Sequence, residues 1–278
     1  MSTRFENAAN KSVDVNGTNF VYREIGKAGG IPVVFLHHLT AVLDDWDPRV
    51  VDGLAAKRHV IAFDNRGVGG SGGSTPKTVE EMAADATAFI EALGFNKVDL
   101  LGFSLGGFVS QVIAQKHHAL VRKIILAGTG PAGGEGIVNV GAVLQDALGK
   151  AAAANKNPKQ LLFFTQTSEG QAAADDFLRR LKERTGDLDT PVSNETVQAQ
   201  LAAIQAWGQG DSARLGTVHH PVLVANGDHD VMVPSVNSFV LARKLPNSQL
   251  SIFPDAGHGG IFQYHAAFVQ QALAFLQQ

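Results

Sequence analysis

A serine flanked by glycines occupies residues 102–106, which read Gly-Phe-Ser-Leu-Gly. Ser104 follows the apolar run Val98–Phe103 and precedes a helical pattern, so the sequence predicts a sharp strand-to-helix turn at this serine. A nucleophilic serine requires such a turn, because its hydroxyl must be exposed where close packing leaves room only for glycine on either side. Glycine-rich turns of this kind also serve packing alone, so the motif by itself is moderately specific.

Two later segments could supply the base and the orienting acid that a serine nucleophile needs. Residues 226–230 read Asn-Gly-Asp-His-Asp and follow the predicted strand Val222–Ala225. Residues 255–260 read Asp-Ala-Gly-His-Gly-Gly and follow the predicted strand Gln249–Phe253. Both segments lie at the carboxyl ends of predicted strands, the edge where open α/β sheets build their sites. His258 lies between glycines, which indicates a loop. It is the candidate base, and Asp228 and Asp230 are the candidate acids.

The elements that must position these residues show a strand–helix alternation. Asn16-Gly17 separates two strand-like segments and predicts a hairpin, since both central positions of that turn need positive φ. Thr78 to Glu81 matches a capping box and predicts a helix that reaches Leu93. Alternation over the first 130 residues and again after residue 214 predicts an α/β fold with a mostly parallel sheet and helices on both faces.

Residues 131–214 contain no convincing strand pattern. Val140, Leu144 and Leu148 recur every four residues, and Ser193 can cap a further helix that Gly208 closes. The sequence therefore predicts a core made of residues 1–130 and 215–278, interrupted by a helical cap over residues 131–214.

Composition excludes several classes of protein. The 278 residues carry a formal charge of −3 without a basic run, which argues against a nucleic-acid partner. The chain has no cysteine, which excludes disulfides, thiolate metal sites and a cysteine nucleophile. No segment approaches the roughly 20 apolar residues that span a bilayer, and the first twelve residues have no apolar stretch. We expect a cytoplasmic protein with a small-molecule substrate and no membrane association, whose oligomeric state stays open, a homodimer being one option.

Two segments invite other interpretations. Residues 67–72 match the dinucleotide fingerprint G-x-G-x-x-G, but the next helix begins only at the Thr78 cap, so a structural turn shaped by Asp64 and Arg66 is favoured. Asp44, Asp45 and Asp47 could bind a cation. The start of a short helix, with Trp46 packed under the cap, is the better interpretation. The paired histidines lack metal-ligand spacing, so no metal site is predicted.

Five segments in this order resemble the α/β-hydrolase superfamily over nearly the whole chain, and within it bacterial carboxylesterases, cofactor-free haloperoxidases and C–C hydrolases. The segments are 36–38 (LHH), 64–71 (DNRGVGGS), 102–107 (GFSLGG), 227–234 (GDHDVMVP) and 254–260 (PDAGHGG). The resemblance implies the α/β-hydrolase fold, with Ser104 as nucleophile, His258 as base and Asp230 as orienting acid. Asp228 remains the competing acid.

The same resemblance implies an oxyanion hole built from two backbone N–H groups. Leu105, next after the nucleophile, would supply one. The family usually has His-Gly-x after the preceding strand; here His38 replaces the glycine and Leu39 would supply the second N–H group. A histidine at that place needs a permissive backbone angle, and its side chain could enter the pocket.

The expected activity is that of a serine hydrolase that cleaves small to medium uncharged carboxylic esters through an acyl-enzyme on Ser104, with neither a metal nor an organic cofactor. His38, Phe103, Phe163 and Trp207 are the candidate pocket residues. Alternatives on the same residues are a cofactor-free haloperoxidase or perhydrolase and a C–C bond hydrolase. A cofactor-free dioxygenase would have little need for the serine, and a ligand-binding receptor would turn over slowly.

Overall fold

One sheet of eight strands runs through the computed structural model, which describes residues 4–278. Its strands lie in the order β1-β2-β4-β3-β5-β6-β7-β8. They are β1 (Lys11–Val15), β2 (Thr18–Ile25), β3 (Val33–Leu36), β4 (Val60–Phe63), β5 (Val98–Phe103), β6 (Val121–Ala127), β7 (Val222–Gly227) and β8 (Ser248–Phe253).

Ten α-helices accompany the sheet within residues 4–278. They are α1 (Pro48–Ala55), α2 (Val79–Ala92), α3 (Leu105–Lys116), α4 (Val140–Ala154), α5 (Pro158–Leu162), α6 (Ser168–Leu181), α7 (Asn194–Gly208), α8 (Val236–Lys244), α9 (Gly260–Gln263) and α10 (His265–Gln277). None of the helices in this part of the chain is both long and apolar enough to cross a bilayer.

The sheet is antiparallel only at one side. β1 and β2 form the predicted hairpin, and Asn16 and Gly17 take φ values of 53° and 81°, as its turn requires. β2 pairs antiparallel with β4, and every later pairing is parallel. The strands β3, β4 and β5 are buried along their whole length, as expected where helices cover both faces. The observed architecture confirms the predicted fold class.

Strand register brings the candidate segments to one edge. Leu36 of β3 pairs with Gly102 of β5, which in turn pairs with Leu126 of β6. Farther along the sheet, Gly227 of β7 pairs with Phe253 of β8. Because these strands are parallel, the loops that follow them all emerge at the same carboxyl edge.

The chain between β6 and β7 holds α4 to α7, and within the described residues it contributes no strand to the sheet. Thr167 and Ser193 accept hydrogen bonds from Gly170 N and Thr196 N and thereby cap α6 and α7. The periodicity did not predict α5, which has only five residues. Buried apolar side chains continue from the sheet into these helices, so this segment packs directly on the carboxyl edge.

The sequence pattern predicts helices over residues 51–57 and 261–276, and the structure differs from it at both places. Helix α1 begins at Pro48 rather than Val51, because Asp47 caps it by accepting a hydrogen bond from Arg49 N at 2.9 Å and proline suits the first turn. The expected single C-terminal helix is two helices, α9 and α10, separated at Tyr264.

Candidate active site

Ser104 lies at a sharp turn between β5 and α3, with φ 55° and ψ −116°. A non-glycine residue in this conformation is strained by roughly 1–3 kcal/mol, so the surroundings must hold it. Ser104 N donates to Ala127 O at 2.9 Å, and Ser104 O accepts from Thr129 Oγ1 and Gly107 N, both at 2.8 Å. These three hydrogen bonds tie the turn to β6 and to the first turn of α3.

The glycines on either side of Ser104 are required by close contacts. A Cβ atom on Gly102 would lie 2.3 Å from Gly106 O, and one on Gly106 would lie 2.0 Å from Leu36 O. Neither contact is possible for an alanine without movement of the backbone. The second contact also shows that the loop after β3 passes directly against the start of α3.

His258 and Asp230 are joined by a hydrogen bond of 2.7 Å between Nδ1 and Oδ2. Both side chains are almost completely buried. The other carboxylate oxygen of Asp230 accepts from Met232 N and Val233 N at 2.9 Å, which fixes the carboxylate in position. Since the carboxylate accepts from Nδ1–H, the Nε2 atom of His258 is left as the basic position.

Asp228, the competing acid, is directed elsewhere. Its Oδ1 atom lies 2.6 Å from His229 Nδ1 and accepts from Ala256 N at 3.1 Å. Of the two candidate acids, only Asp230 contacts His258.

Ser104 and His258 line the same cavity, of about 330 Å³. Among the hydrogen bonds of the described residues, none joins the Ser104 hydroxyl to His258. Hydrogen bonds between nucleophile and base are often long or poorly aligned before substrate binds, and rotation about the Cα–Cβ bond of Ser104 moves its hydroxyl. The structure thus brings both residues to one cavity without forming their direct contact.

The two candidate oxyanion donors lie at adjoining backbone segments. Leu105 is the first residue of α3, and Leu39 is in the loop after β3, which contacts α3 at Gly106. Within residues 4–278, neither Leu105 N nor Leu39 N donates to a protein acceptor. Left-handed backbone in this loop occurs at Thr40, with φ 65°, and not at His38. The permissive angle expected for His38 is therefore at Thr40, whose N–H donates to Gln200 Oε1 of α7 at 2.8 Å.

Comparison with known proteins supports the same architecture. The family model for the alpha/beta hydrolase fold matches residues 31–263. This chain belongs to the α/β hydrolase family. A solved α/β hydrolase fold protein from Chitinophaga pinensis is 38% identical, with a TM-score of 0.94 over 99% of each chain.

Two curated relatives of this α/β hydrolase carry different names. The dihydrolipoyllysine-residue acetyltransferase component of an acetoin cleaving system from Pseudomonas putida is 30% identical over 97% of this chain and 70% of its own length. A non-heme chloroperoxidase from Streptomyces lividans is 28% identical over 94% and 97%. The resemblance to the hydrolase superfamily is confirmed, and the chain is an enzyme of the hydrolase class.

The cavity of the hydrolase is largely apolar. Core loops and cap helices both contribute to its wall. The lining residues are His38, Leu39, Thr40, Ser104, Leu144, Leu148, Asn157, Pro158, Lys159, Leu162, Phe163, Asn194, Val197, Met232 and His258. Leu144 and Leu148 belong to the four-residue stripe that predicted a helix from the sequence, but the stripe did not reveal that they face the site.

Two candidate pocket residues lie outside this cavity. Phe103 is fully buried beneath the site, with its ring 5.0 Å from that of His258 and 5.2 Å from that of His38. Trp207 stacks on Phe108 at 5.2 Å and lines a separate cavity of about 420 Å³. Phe103 therefore supports the cavity wall from behind, whereas Trp207 packs on α3 away from the cavity. Phe163 and His38 do line the cavity.

The side chain of His38 forms an uncharged part of the cavity wall. Burial, and after it the nearby ammonium of Lys159, lower its pKa to about 3. Its Nδ1 atom lies 2.8 Å from the carbonyl oxygen of Leu39, which can only accept, so Nδ1 carries the proton. Burial likewise lowers the pKa of His37 to about 4. The histidine pair after β3 therefore adds no positive charge to the site at neutral pH.

The other segments singled out in the sequence have structural roles. Asp64 accepts from Leu43 N at 3.0 Å and Gly70 N at 3.1 Å, which shapes the glycine-rich turn, and α2 begins only at Val79. Asp44 pairs with Arg23, and Asp47 pairs with Arg180. Trp46 is buried against Phe35 as well as Phe103 and Phe262. Across the described part of the chain, no cluster of three or more His, Asp or Glu side chains is arranged to hold a metal ion.

Lys159 is the site residue that sequence reasoning missed. It lies in α5, lines the cavity, and pairs through Nζ with Asp45 Oδ1. In the sequence, no charged residue stands out as a clamp for a substrate carboxylate or phosphate. No local signal could have placed Lys159 here, since a single lysine in a short polar stretch is typical of a solvated surface.

Proposed function

We propose that this hydrolase cleaves carboxylic esters through an acyl-enzyme on Ser104. The observation that carries the proposal is the buried 2.7 Å hydrogen bond between His258 and Asp230, in a chain whose strained serine opens on the same cavity. This arrangement supports the proposal that a nucleophile, an oriented base and backbone donors act at one place.

In the proposed first step, His258 Nε2 takes the Ser104 proton while Ser104 Oγ bonds to the acyl carbon. The negative charge that develops on the carbonyl oxygen is held by the N–H groups of Leu105 and Leu39. The C–O bond to the alcohol then breaks, and the alcohol leaves with the proton held by His258. In the second step, His258 deprotonates a water molecule that attacks the acyl carbon. The acid is released, and the proton returns to Ser104.

The decisive experiment compares the wild-type protein with Ser104→Ala on p-nitrophenyl acetate and butyrate. We expect multiple turnovers by the wild type and a loss of at least 10³-fold in kcat for the variant, since no other group supplies the nucleophile. A fluorophosphonate probe should label the wild type at Ser104 and leave the variant unlabelled. Equal turnover by both proteins would contradict the proposal, and a single slow turnover would favour a receptor.

Perhydrolysis is the second candidate, favoured by the similarity to the chloroperoxidase from Streptomyces lividans over nearly the whole of both chains. Here hydrogen peroxide, in place of water, attacks the acyl-enzyme and a peracid leaves. The test adds hydrogen peroxide to the ester assay and measures peracid against carboxylic acid. Both products must disappear in Ser104→Ala, whereas a dioxygenase would keep its oxygen consumption in that variant.

A further inference from the structure

One lysine lies in the wall of a largely apolar pocket. Among the described residues that line the cavity, Lys159 is the only lysine, arginine, aspartate or glutamate, and His38 is neutral. The Lys159 side chain is 21% exposed. A lysine ammonium has three hydrogen-bond donors, and Asp45 accepts from it through Oδ1.

The position of Lys159 is fixed relative to the reacting groups. Asn157 caps α5 by accepting from Lys159 N at 2.9 Å, and Lys159 O accepts from Phe163 N at 2.9 Å. Phe163 O in turn accepts from Gly259 N at 2.8 Å, next to the candidate base. The cationic residue is therefore connected to the His258 loop through a short run of backbone hydrogen bonds.

Asp45 does not cancel the charge on the cavity side. Its carboxylate is anchored in the core loop, where Oδ2 accepts from Val42 N at 3.0 Å, and Asp45 is not among the described cavity-lining residues. Burial alone would raise the pKa of Asp45, but the Lys159 ammonium and its hydrogen bond outweigh it, and the pKa is lowered. The ionised carboxylate lies to one side of the ammonium, which leaves donor capacity for a ligand.

We propose that Lys159 selects esters whose acyl chain ends in a carboxylate, which its ammonium binds while the ester carbon lies at Ser104. The substrate class is thus a monoester of a short dicarboxylic acid, in place of the uncharged ester expected from the sequence. This inference rests on the proposed esterase function for the position of the reacting carbon, but carboxylate binding can be measured without turnover.

The experiment uses matched ester pairs in which a carboxylate replaces a terminal methyl group. They are monoethyl fumarate with ethyl crotonate, monoethyl succinate with ethyl butyrate, and monoethyl adipate with ethyl hexanoate. Acid release in a pH-stat gives kcat and KM for each. We expect the wild type to favour at least one anionic partner. Lys159→Met should lower that preference roughly tenfold or more, mainly through KM, since a charge-assisted hydrogen bond is lost.

Three further variants separate recognition from stability. Asp45→Asn frees the ammonium from its partner and should raise the anionic preference, opposite in sign to Lys159→Met. Lys159→Arg keeps the charge and should retain the preference. Lys150→Met removes an exposed lysine that pairs with Asp146 on α4 and should leave the preference unchanged. A fall shared equally by both esters of a pair in Lys159→Met would show a purely structural ion pair and overturn the proposal.

Product binding distinguishes failure of this inference from failure of the esterase function. Calorimetric titration of Ser104→Ala with succinate and adipate measures carboxylate binding without catalysis, and adding Lys159→Met should weaken it. Binding that does not depend on Lys159 overturns the inference alone. Wild-type protein that binds these dianions through Lys159 but cleaves none of the esters would contradict the esterase proposal alone.

Discussion

Close contacts fix the conformation of single residues around the candidate nucleophile of this hydrolase. Ser104 keeps its positive φ because hydrogen bonds to Ala127, Thr129 and Gly107 hold its backbone N–H and C=O groups in place. Gly106 is constrained more tightly still, since any Cβ there would overlap the carbonyl group of Leu36. The candidate nucleophile and the candidate oxyanion loop are positioned by this one close approach.

Gly106→Ala tests that approach. We expect a loss of stability of about 3 kcal/mol or more, because the 2.0 Å contact is with backbone that cannot move aside without shifting β3. Urea unfolding followed by circular dichroism measures the effect. Gly149→Ala is the matched control: Gly149 is exposed in α4 with no atom within 4 Å of an added Cβ, and alanine should stabilise it by up to about 1 kcal/mol. Similar stability changes in both variants would contradict the interpretation.

How far the site could be predicted also depends on the individual residue. Ser104, Asp230 and His258 each follow a strand within a few positions, so local pattern placed them at the correct edge. Lys159 reaches the site from a cap helix 55 residues after Ser104 in sequence, and only tertiary packing brings it there. Trp207 was a candidate pocket residue because it is a large aromatic in the predicted cap. A large aromatic fits a packed interior equally well, and Trp207 stacks there on Phe108.

At the level of elements, α6 is joined to the core by a buried ion pair. Arg180 donates from Nε and Nη2 to the carboxylate of Asp47, with the shortest distance 2.7 Å, and also to Phe262 O at 3.2 Å. Asp47 is the residue that caps α1. One carboxylate therefore caps the N-terminus of α1 and pairs with Arg180 of α6, so the two helices depend on each other.

Arg180→Met should destabilise the protein by about 3–5 kcal/mol, because it leaves the Asp47 carboxylate buried without its cation. Thermal unfolding provides the measurement. The neighbouring Arg179 makes an exposed pair with Asp176 on the same helix, and Arg179→Met should change stability by less than about 1 kcal/mol. The prediction fails if the two variants melt at the same temperature.

Element boundaries were predictable where local chemistry sets them. The capping threonine of α2 and the turn residues of the first hairpin act over three or four positions, and both elements occur as expected. Helix α5 escaped prediction because five residues are too few for a 3.6-residue period to repeat. The break at Tyr264 has the same origin, since apolar periodicity continues across it.

For the whole molecule, the buried histidines after β3 should make the free energy of unfolding decrease as the pH falls below about 6.5. Burial lowers the pKa of His38 to about 3, whereas an imidazole in the unfolded chain titrates near 6.5. Between these values the unfolded state binds more protons than the folded state. Stability contributed by His38 is therefore complete above about pH 6.5 and is lost as the pH falls toward 3. His37, whose pKa is lowered to about 4, acts in the same direction.

His38→Asn should flatten the pH dependence of the unfolding free energy between pH 4.5 and 6, by up to about 1.4 kcal/mol per pH unit. Asparagine retains an N–H group near Leu39 O and cannot titrate. Urea titrations at several pH values give the slope. In His229→Asn the slope can change only in the opposite sense, because a hydrogen bond to Asp228 raises the pKa of that exposed histidine. A slope unchanged in His38→Asn would show that protonation of this residue is not linked to unfolding.

The acidic segment around Trp46 has a consequence for how the molecule opens. Asp45 and Asp47 each hold a cation from a different cap helix, Lys159 of α5 and Arg180 of α6, more than 110 residues away in the chain. None of the strand pairings in the sheet involves these contacts. Loss of these two ion pairs would weaken the attachment of both helices to the core while the sheet kept every interstrand hydrogen bond, so local opening of this part of the chain need not involve global unfolding.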